Sequence, residues 1–542
     1  MGAMKLLRAL AAALLLTVSL ALPAAQLQAG PQTSQQGQKP PEGQKPPDGQ
    51  KPAKGERGKK PPELKMPVLP EAQRKLLPDT RAGKIFGEWL AICGRPSTDL
   101  MAKWVQDHVR KPFLEGTDAR TLGRADAADC FYAGGYQVTE VLVNEPDRLA
   151  VLASAPKLDA WYRLVIGVTD EGSGPVQAIP ATPPEASLPK EAKQLTDEAL
   201  QKDIERAADR FATADAFSGI AMAARDGKPF VTVTAGYADR TRERPFSPTT
   251  QFTIGSMGKM FTAVAFAQLV DRGKASFDDT VGKFFPQFAN QAVRDKVTVK
   301  MLLTHTSGMG DFLGRRTPEM MANGVKRAAE FMPLYEKDEP AFEPGTRSRY
   351  SNAGLALVGA IVEQVSGEDY PSYLRKHVFE PAGMANSDPN NVPHSAVGAR
   401  PTSLVRPYTK QSDSGPLLGW VAAEPDIGSP AGGAISTADD LIKFAEALRG
   451  GKLVKRETFE TMATAHEKTA GGGYGFAMNV ADIYGRTVVG HGGGFPGVST
   501  ELYIVLDTPY AAAVLSNQDP PAAERIGERL RALLVKKAQL EK

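Results

Sequence analysis

Ser256-Met257-Gly258-Lys259 stands between a strand-like stretch, residues 251–254, and an apolar run, residues 260–270, that reads as a helix. Gly255, just before the serine, permits the tight turn that such a strand-to-helix junction needs. A hydroxyl and an amine three residues apart share one face of a helix. Serine is a poor nucleophile until its proton is removed, and a lysine desolvated beside a helix N-terminus has its pKa pushed toward that task. The spacing alone is weak, because Ser154-Ala155-Pro156-Lys157 and Ser187-Leu188-Pro189-Lys190 repeat it. Both of those carry an internal proline and neither opens a long apolar helix, so context singles out Ser256 and Lys259.

The chain has 542 residues, 42% hydrophobic, with a formal net charge of +3. That allows two or three globular domains and gives no electrostatic reason to bind nucleic acid. Lys5 and Arg8 precede an apolar run, residues 9–22, and then the small residues Ala24, Ala25 and Ala29. Residues 1–29 therefore read as a cleaved secretory signal, too short for a stable membrane span, and the protein is expected to be periplasmic or secreted. In an oxidising compartment Cys93 and Cys130 are expected either as a disulfide or as two buried thiols.

Residues 30–70 form a Pro/Gln/Lys-rich linker, with Gly37, Gly43, Gly49 and Gly55 marking a hexapeptide repeat. It cannot bury a core and is expected to act as a tether whose lysines offer contact with an anionic cell-wall surface. Residues 71–188 change to helical runs (82–93, 99–109) followed by strand-like runs (136–143, 149–153, 161–168), which predicts a small α+β accessory domain. It resembles the nuclear-transport-factor-2-like fold, and no motif in it carries chemistry. Residues 190–542 are long enough for one large α/β (α+β) domain. Strand-like runs at 217–224 and 229–235, joined through Asp226-Gly227, and others at 500–506 and 511–515 predict an antiparallel sheet built from both ends of the segment. The mostly helical middle predicts flanking helices and a helical subdomain.

Three further patterns follow Ser256 in order: Thr304-His305-Thr306-Ser307-Gly308, then Tyr350-Ser351-Asn352 ahead of a helical run at 353–365, then His491-Gly492-Gly493-Gly494 between strand-like runs at 487–489 and 498–506. Ala431-Gly432-Gly433-Ala434 and Tyr474-Gly475-Phe476 accompany them. With this set the segment resembles the serine β-lactamase and penicillin-binding-protein superfamily, in its class C-like branch of β-lactamases, D-amino-acid peptidases and serine esterases. The resemblance implies a β-lactamase/transpeptidase-like fold. It makes Ser256 the acylated nucleophile, with Lys259 and Tyr350 managing its proton and either of them the base. Asn352 would fix Lys259 and a substrate carbonyl. The backbone N–H groups of Ser256 and Gly494 would form an oxyanion hole, and Gly492 and Gly493 would let substrate approach.

His305 reads as support at a helix C-terminus rather than as a site residue, and Ser436 with Asp439 reads as a capping box. The remaining histidines are scattered without metal-ligand spacing, and the chemistry requires no metal or organic cofactor. His491 occupies the place where penicillin-recognising relatives keep a carboxylate-binding lysine, and imidazole at its ordinary pKa is mostly uncharged at neutral pH. The expected substrate is therefore a small ester or a D-amino-acid peptide or amide. The alternatives are a β-lactamase or cell-wall D,D-peptidase, and a non-catalytic scaffold with an eroded site.

Overall fold

The computed structural model describes residues 65–114, 118–317, 320, 325–389, 403–410, 417–419, 429–469 and 472–541. The expected signal peptide (1–29), and the expected linker as far as residue 64, lie outside the described residues. From Pro67 onward the described residues form one compact unit.

In the first part, α1 (Arg81–Cys93) and α2 (Thr98–His108) start at Thr80 and Ser97, whose hydroxyls accept from the backbone N–H groups of Gly83 and Leu100. Ala82, Ile85, Phe86, Trp89, Leu90 and Cys93 fall on one face of α1 and are buried. A third helix, α3 (Ala119–Ala133), was not foreseen from periodicity. Its buried residues are the small Gly123, Ala127, Cys130 and Ala133, and a Cβ on Gly123 would stand 2.4 Å from Ala102 N. Close helix contact through small residues leaves no apolar stripe to read. Cys93 and Cys130 pair as a disulfide, with Cα atoms 4.9 Å apart. Strands β1 (Gln137–Glu145), β2 (Arg148–Ala155) and β3 (Ala160–Thr169) then run antiparallel, with β4 (Gly172–Ser173) and β5 (Gln177–Pro180) both on β3.

This part is tied to the remainder by polar contacts. Thr182 donates to Glu528 at 2.6 Å, Lys536 pairs with Glu185 at 2.7 Å, and Arg529 pairs with Asp159 at 3.2 Å.

The second part is built on an eight-stranded antiparallel sheet. Its strands are β6 (Gly219–Arg225), β7 (Lys228–Ala235), β8 (Glu467–Thr469), β9 (Gly472–Tyr474), β10 (Asn479–Ile483), β11 (Arg486–Phe495), β12 (Val498–Val505) and β13 (Tyr510–Ser516). Their spatial order is β8-β9-β10-β11-β12-β13-β6-β7, so strands from the two ends of the segment meet at β13 and β6, as expected. The Asp226-Gly227 hairpin has φ of 51° and 72°, the paired left-handed turn whose twist suits a two-residue connection.

α4 (Asp197–Thr213) and the C-terminal α8 (Ala522–Leu540) pack on one face of the sheet. α4 buries Leu200, Ile204, Ala207, Ala208 and Phe211, spaced for a single helical face. The other face carries α7 (Ala438–Arg449) and a core in which α5 (Lys259–Asp271) and α6 (Asn352–Ser366) lie together. Every residue of α5 from Lys259 to Leu269 is buried, which matches a helix apolar on all sides. α7 is capped by Thr437, which accepts from Asp440 N, one residue later than the cap expected at Ser436 with Asp439. Among the described residues no helix is long and apolar enough to cross a membrane.

Candidate active site

Phe252–Thr253 pairs with Ile435–Ser436, and the chain then turns at Gly255, φ 55°, into the single turn Gly255–Gly258 that leads to α5. Ser256 lies on this turn, half-buried, and Lys259 is the first residue of α5 and fully buried. Lys259 Nζ is 3.1 Å from Ser256 Oγ and donates to Asn352 Oδ1 at 2.8 Å and to the carbonyl oxygen of Ala431. Burial pushes the amine down to about 7, with the Asp311 carboxylate acting against the shift. Two of its contacts are oxygens that can only accept. A neutral Lys259 therefore spends both N–H groups on Asn352 and Ala431, and its lone pair is left facing Ser256.

Tyr350 and Asn352 are brought in by the start of α6. Ser351 is its cap: the hydroxyl accepts from Gly354 N at 2.9 Å and donates to Gly310 O at 2.9 Å. Asn352 sits one residue inside the helix, and its Nδ2 donates to Asp311 Oδ2 at 2.6 Å, which fixes which amide atom faces Lys259. The Tyr350 ring lies 4.7 Å from Lys259 Nζ and 4.4 Å, centroid to centroid, from His305. Burial raises the Tyr350 hydroxyl well above its ordinary value, partly offset by a hydrogen bond with Ser256.

β11 closes the opposite side. The sequence suggested a glycine segment between two strands, whereas β11 runs unbroken from Arg486 to Phe495, because β12 pairs with it from Val488 through Phe495. On its other edge β10 stops at the Asn479–Gly490 pair, so among the described residues no strand pairs with His491 to Phe495 there. The Ser256 turn lies against this segment: a Cβ on Gly255 would stand 3.1 Å from Gly494 N, and one on Gly493 would stand 1.9 Å from Ile254 O. Thr500 Oγ1 donates to the same Ile254 O at 2.9 Å. Gly493 thus admits the Ser256 turn to the strand.

His491 is buried on β11, with Nε2 2.9 Å from the Tyr474 hydroxyl and Nδ1 against Gly492 O. The Tyr474 hydroxyl is also 3.1 Å from His305 Nε2, and His305 Nδ1 accepts from Ser351 N at 3.2 Å. Burial, then the positive charge of Lys259, lower both imidazoles, His491 to about 4 and His305 well below its ordinary value.

The structure therefore brings Ser256, Lys259 and Asn352 into direct hydrogen bonding, sets Tyr350 beside them, and reaches His491 through Tyr474. Asp311, the Ala431 carbonyl and the contacts of His305 were not read from the sequence. Asp311 lies 41 positions from its partner Asn352, and no local pattern announces such a pair.

A family model described as Beta-lactamase matches residues 204–537. The chain belongs to that family. It is 27% identical over 321 residues to Penicillin-binding protein 4* of Bacillus subtilis (strain 168), covering 56% of this chain and 68% of that protein. It is 26% identical over 325 residues to a D-aminopeptidase of Cereibacter sphaeroides (strain ATCC 17029 / ATH 2.4.9), covering 58% of this chain and 60% of the relative. The solved structure of a penicillin binding protein from Bacillus halodurans matches with a TM-score of 0.52 at 28% identity, over 61% of this chain and 97% of that one. The chain thus spans 60% to 68% of these two curated relatives. The superfamily and the sheet-and-helix fold expected from the motifs hold, and by family this β-lactamase-related protein is a serine hydrolase.

Proposed function

We propose that the protein is an exported serine hydrolase that cleaves an ester or a D-amino-acid peptide or amide bond through an acyl-enzyme on Ser256. The observation that carries this reading is the buried Lys259 amine, 3.1 Å from Ser256 Oγ, with its other two positions committed to Asn352 and Ala431. Lys259 takes the Ser256 proton as Oγ bonds to the substrate carbonyl carbon. The electron pair displaced onto the carbonyl oxygen is held by the N–H groups of Ser256 and Gly494. On collapse the leaving group departs with that proton, passed from Lys259 by way of the Tyr350 hydroxyl, and water then repeats the sequence to free Ser256. Export rests on the sequence of residues 1–29.

Both nitrogens of His491 are engaged within the protein, so this position offers a substrate carboxylate no cation. The D-aminopeptidase relative supports a D-amino-acid peptide or amide as one substrate class. The test compares initial rates of the purified protein and its Ser256→Ala variant on p-nitrophenyl butyrate, D-phenylalanine amide and a chromogenic cephalosporin. Ser256-dependent turnover of the ester or amide, with a covalent acyl adduct on Ser256 in mass spectra, is the expected result. Fast cephalosporin hydrolysis would make the protein a β-lactamase, and no Ser256-dependent turnover of any of the three would leave the scaffold reading.

The pH dependence has a definite sign. The base form of Lys259 is the deprotonated amine, so kcat/KM should rise through about pH 7 and level off above it. His305 and His491 are neutral throughout that range and add no second acid limb. A pH–rate profile of the ester reaction between pH 5.5 and 9 checks this, and a rate falling as pH rises through 7 would exclude Lys259 as the base.

A further inference from the structure

The four-bond chain through His305, Tyr474 and His491 has only one consistent arrangement of hydrogens. The backbone N–H of Ser351 can only donate, so His305 Nδ1 is an acceptor and carries no proton. The neutral ring then has its hydrogen on Nε2 and donates it to the Tyr474 oxygen. Tyr474 has a single hydroxyl hydrogen, which is free to go only to His491 Nε2. His491 must therefore carry its own hydrogen on Nδ1, where Gly492 O, an obligate acceptor, receives it. A backbone donor at one end and a backbone acceptor at the other set the direction of every bond between.

We propose that Tyr474 and His305 are positioning residues of this site, which lock His491 as the neutral, Nδ1-protonated tautomer so that the β11 edge facing Ser256 presents substrate with backbone and no charge. Its effect on turnover rests on the hydrolase reading above; the tautomer itself does not.

Protonating His491 would break this order. Nε2–H would then point at a Tyr474 oxygen that already accepts from His305, and the tyrosine hydrogen would lose its acceptor. His305, Tyr474 and His491 are 3%, 7% and 5% exposed, so solvent cannot supply a replacement partner. The charged and titratable groups around the chain act in the same sense. Lys259, from α5, repels an imidazolium at either histidine while its amine is protonated, and the Tyr350 ring packs against both His305 and that amine. Asp311, the carboxylate of this site, is turned to Asn352. The chain also joins four separate segments, the turn that carries His305, the cap of α6, the end of β9 and the middle of β11. Loss of a link therefore reaches the nucleophile's surroundings as well as the imidazole.

The test uses protein labelled with 15N in its six histidines, with the His491 signals assigned by their loss in His491→Gln. In the Ser256→Ala background, the His491 ring should show the Nδ1–H pattern unchanged from pH 5.5 to 8.5. Tyr474→Phe removes the hydroxyl and should make the His491 signals titrate or exchange between tautomers within that range. In the active protein, the same substitution should lower kcat/KM for the ester by about 10- to 100-fold and add a second acid limb to the pH profile. His305→Asn is the companion variant, since Asn tolerates the left-handed backbone found there, φ 61°, and keeps an acceptor for Ser351 N. It should shift the Tyr474-linked signals while retaining the fold, and it replaces Tyr474→Phe should that variant fail to fold by circular dichroism. A wild-type His491 carrying its hydrogen on Nε2, or titrating above pH 5.5, would overturn the proposal. So would a folded Tyr474→Phe that leaves both the ring signals and the pH profile unchanged. If Ser256-dependent turnover is absent altogether, the hydrolase reading fails, and the ring signals still decide the lock.

Discussion

Ser256→Ala and Lys259→Met, made singly, should each lower kcat on a p-nitrophenyl ester by about 10,000-fold, and the double variant should be no slower than the worse single. In the proposed mechanism the pair acts as one device. Lys259 Nζ has its remaining contacts on Asn352 Oδ1 and Ala431 O, neither of which can give or take a proton in the reaction, so without the Ser256 hydroxyl the amine has nothing to deprotonate. Without Lys259 the Ser256 hydroxyl keeps a hydrogen bond to a tyrosine whose own pKa is raised, which makes that phenol a poor base. A double variant far slower than either single would show that each residue works alone. Stability separates the two singles. The Lys259 amine titrates near 7 in the folded protein and near 10.5 when unfolded, so folding releases its proton between those values. The wild type therefore gains stability as pH rises through that window, and a Lys259→Met protein lacks the gain. The melting temperature of Lys259→Met relative to wild type should accordingly be most favourable near pH 6.5 and decline toward pH 9.5, while Ser256→Ala should track the wild type.

What could be read from the chain follows from how far apart the cooperating atoms lie in sequence. Ser256 and Lys259 hydrogen-bond across one helical turn, so spacing and the apolar run behind them were enough to pair them. The sheet joining β6 to β13 was legible because its strands carry their own signals, the Asp226-Gly227 turn above all. Tyr350 and Asn352 were legible only as a motif, since nothing local says that the cap of α6 will meet the start of α5. Asp311 was silent, and Tyr474 stood out only as part of an accompanying motif without a role, because their partners are set by packing of separate segments. The glycines after His491 misled in a physical way. Glycine is a poor strand former, and a run of three reads as a break, yet β12 supplies ladder partners along the whole of it and the absent side chains make room for the Ser256 turn.

Gly493→Ala is the substitution that tests this close approach, and it should cost at least about 100-fold in kcat on the ester, where Gly492→Ala should cost less than about 10-fold. Gly493 has no left-handed φ, so alanine meets no backbone strain there and the effect must come from contact alone. Its Cβ would stand 1.9 Å from Ile254 O and 2.6 Å from Thr500 Oγ1. The threonine can rotate away; the Ile254 carbonyl cannot, because it belongs to the backbone two residues before Ser256. Relief therefore requires β11 and the Ser256 turn to separate, and these carry the N–H groups of Gly494 and Ser256, the two donors proposed for the developing oxyanion. Overpacking of this kind costs about 1–3 kcal/mol in stability, and a displaced oxyanion donor costs about 100- to 1,000-fold in rate. At Gly492 the nearest atom to a new Cβ is Thr500 O at 3.3 Å, a contact that yields with a shift of a few tenths of an ångström. Thermal melting alongside kcat keeps the two consequences apart. A Gly493→Ala protein that melts several degrees lower yet turns over at the wild-type rate would mean that Gly494 N and Ser256 N do not hold the oxyanion together. Loss of rate in Gly493→Ala with little change in Gly492→Ala would locate the requirement in the fit between strand and turn that sets the spacing of Gly494 N and Ser256 N.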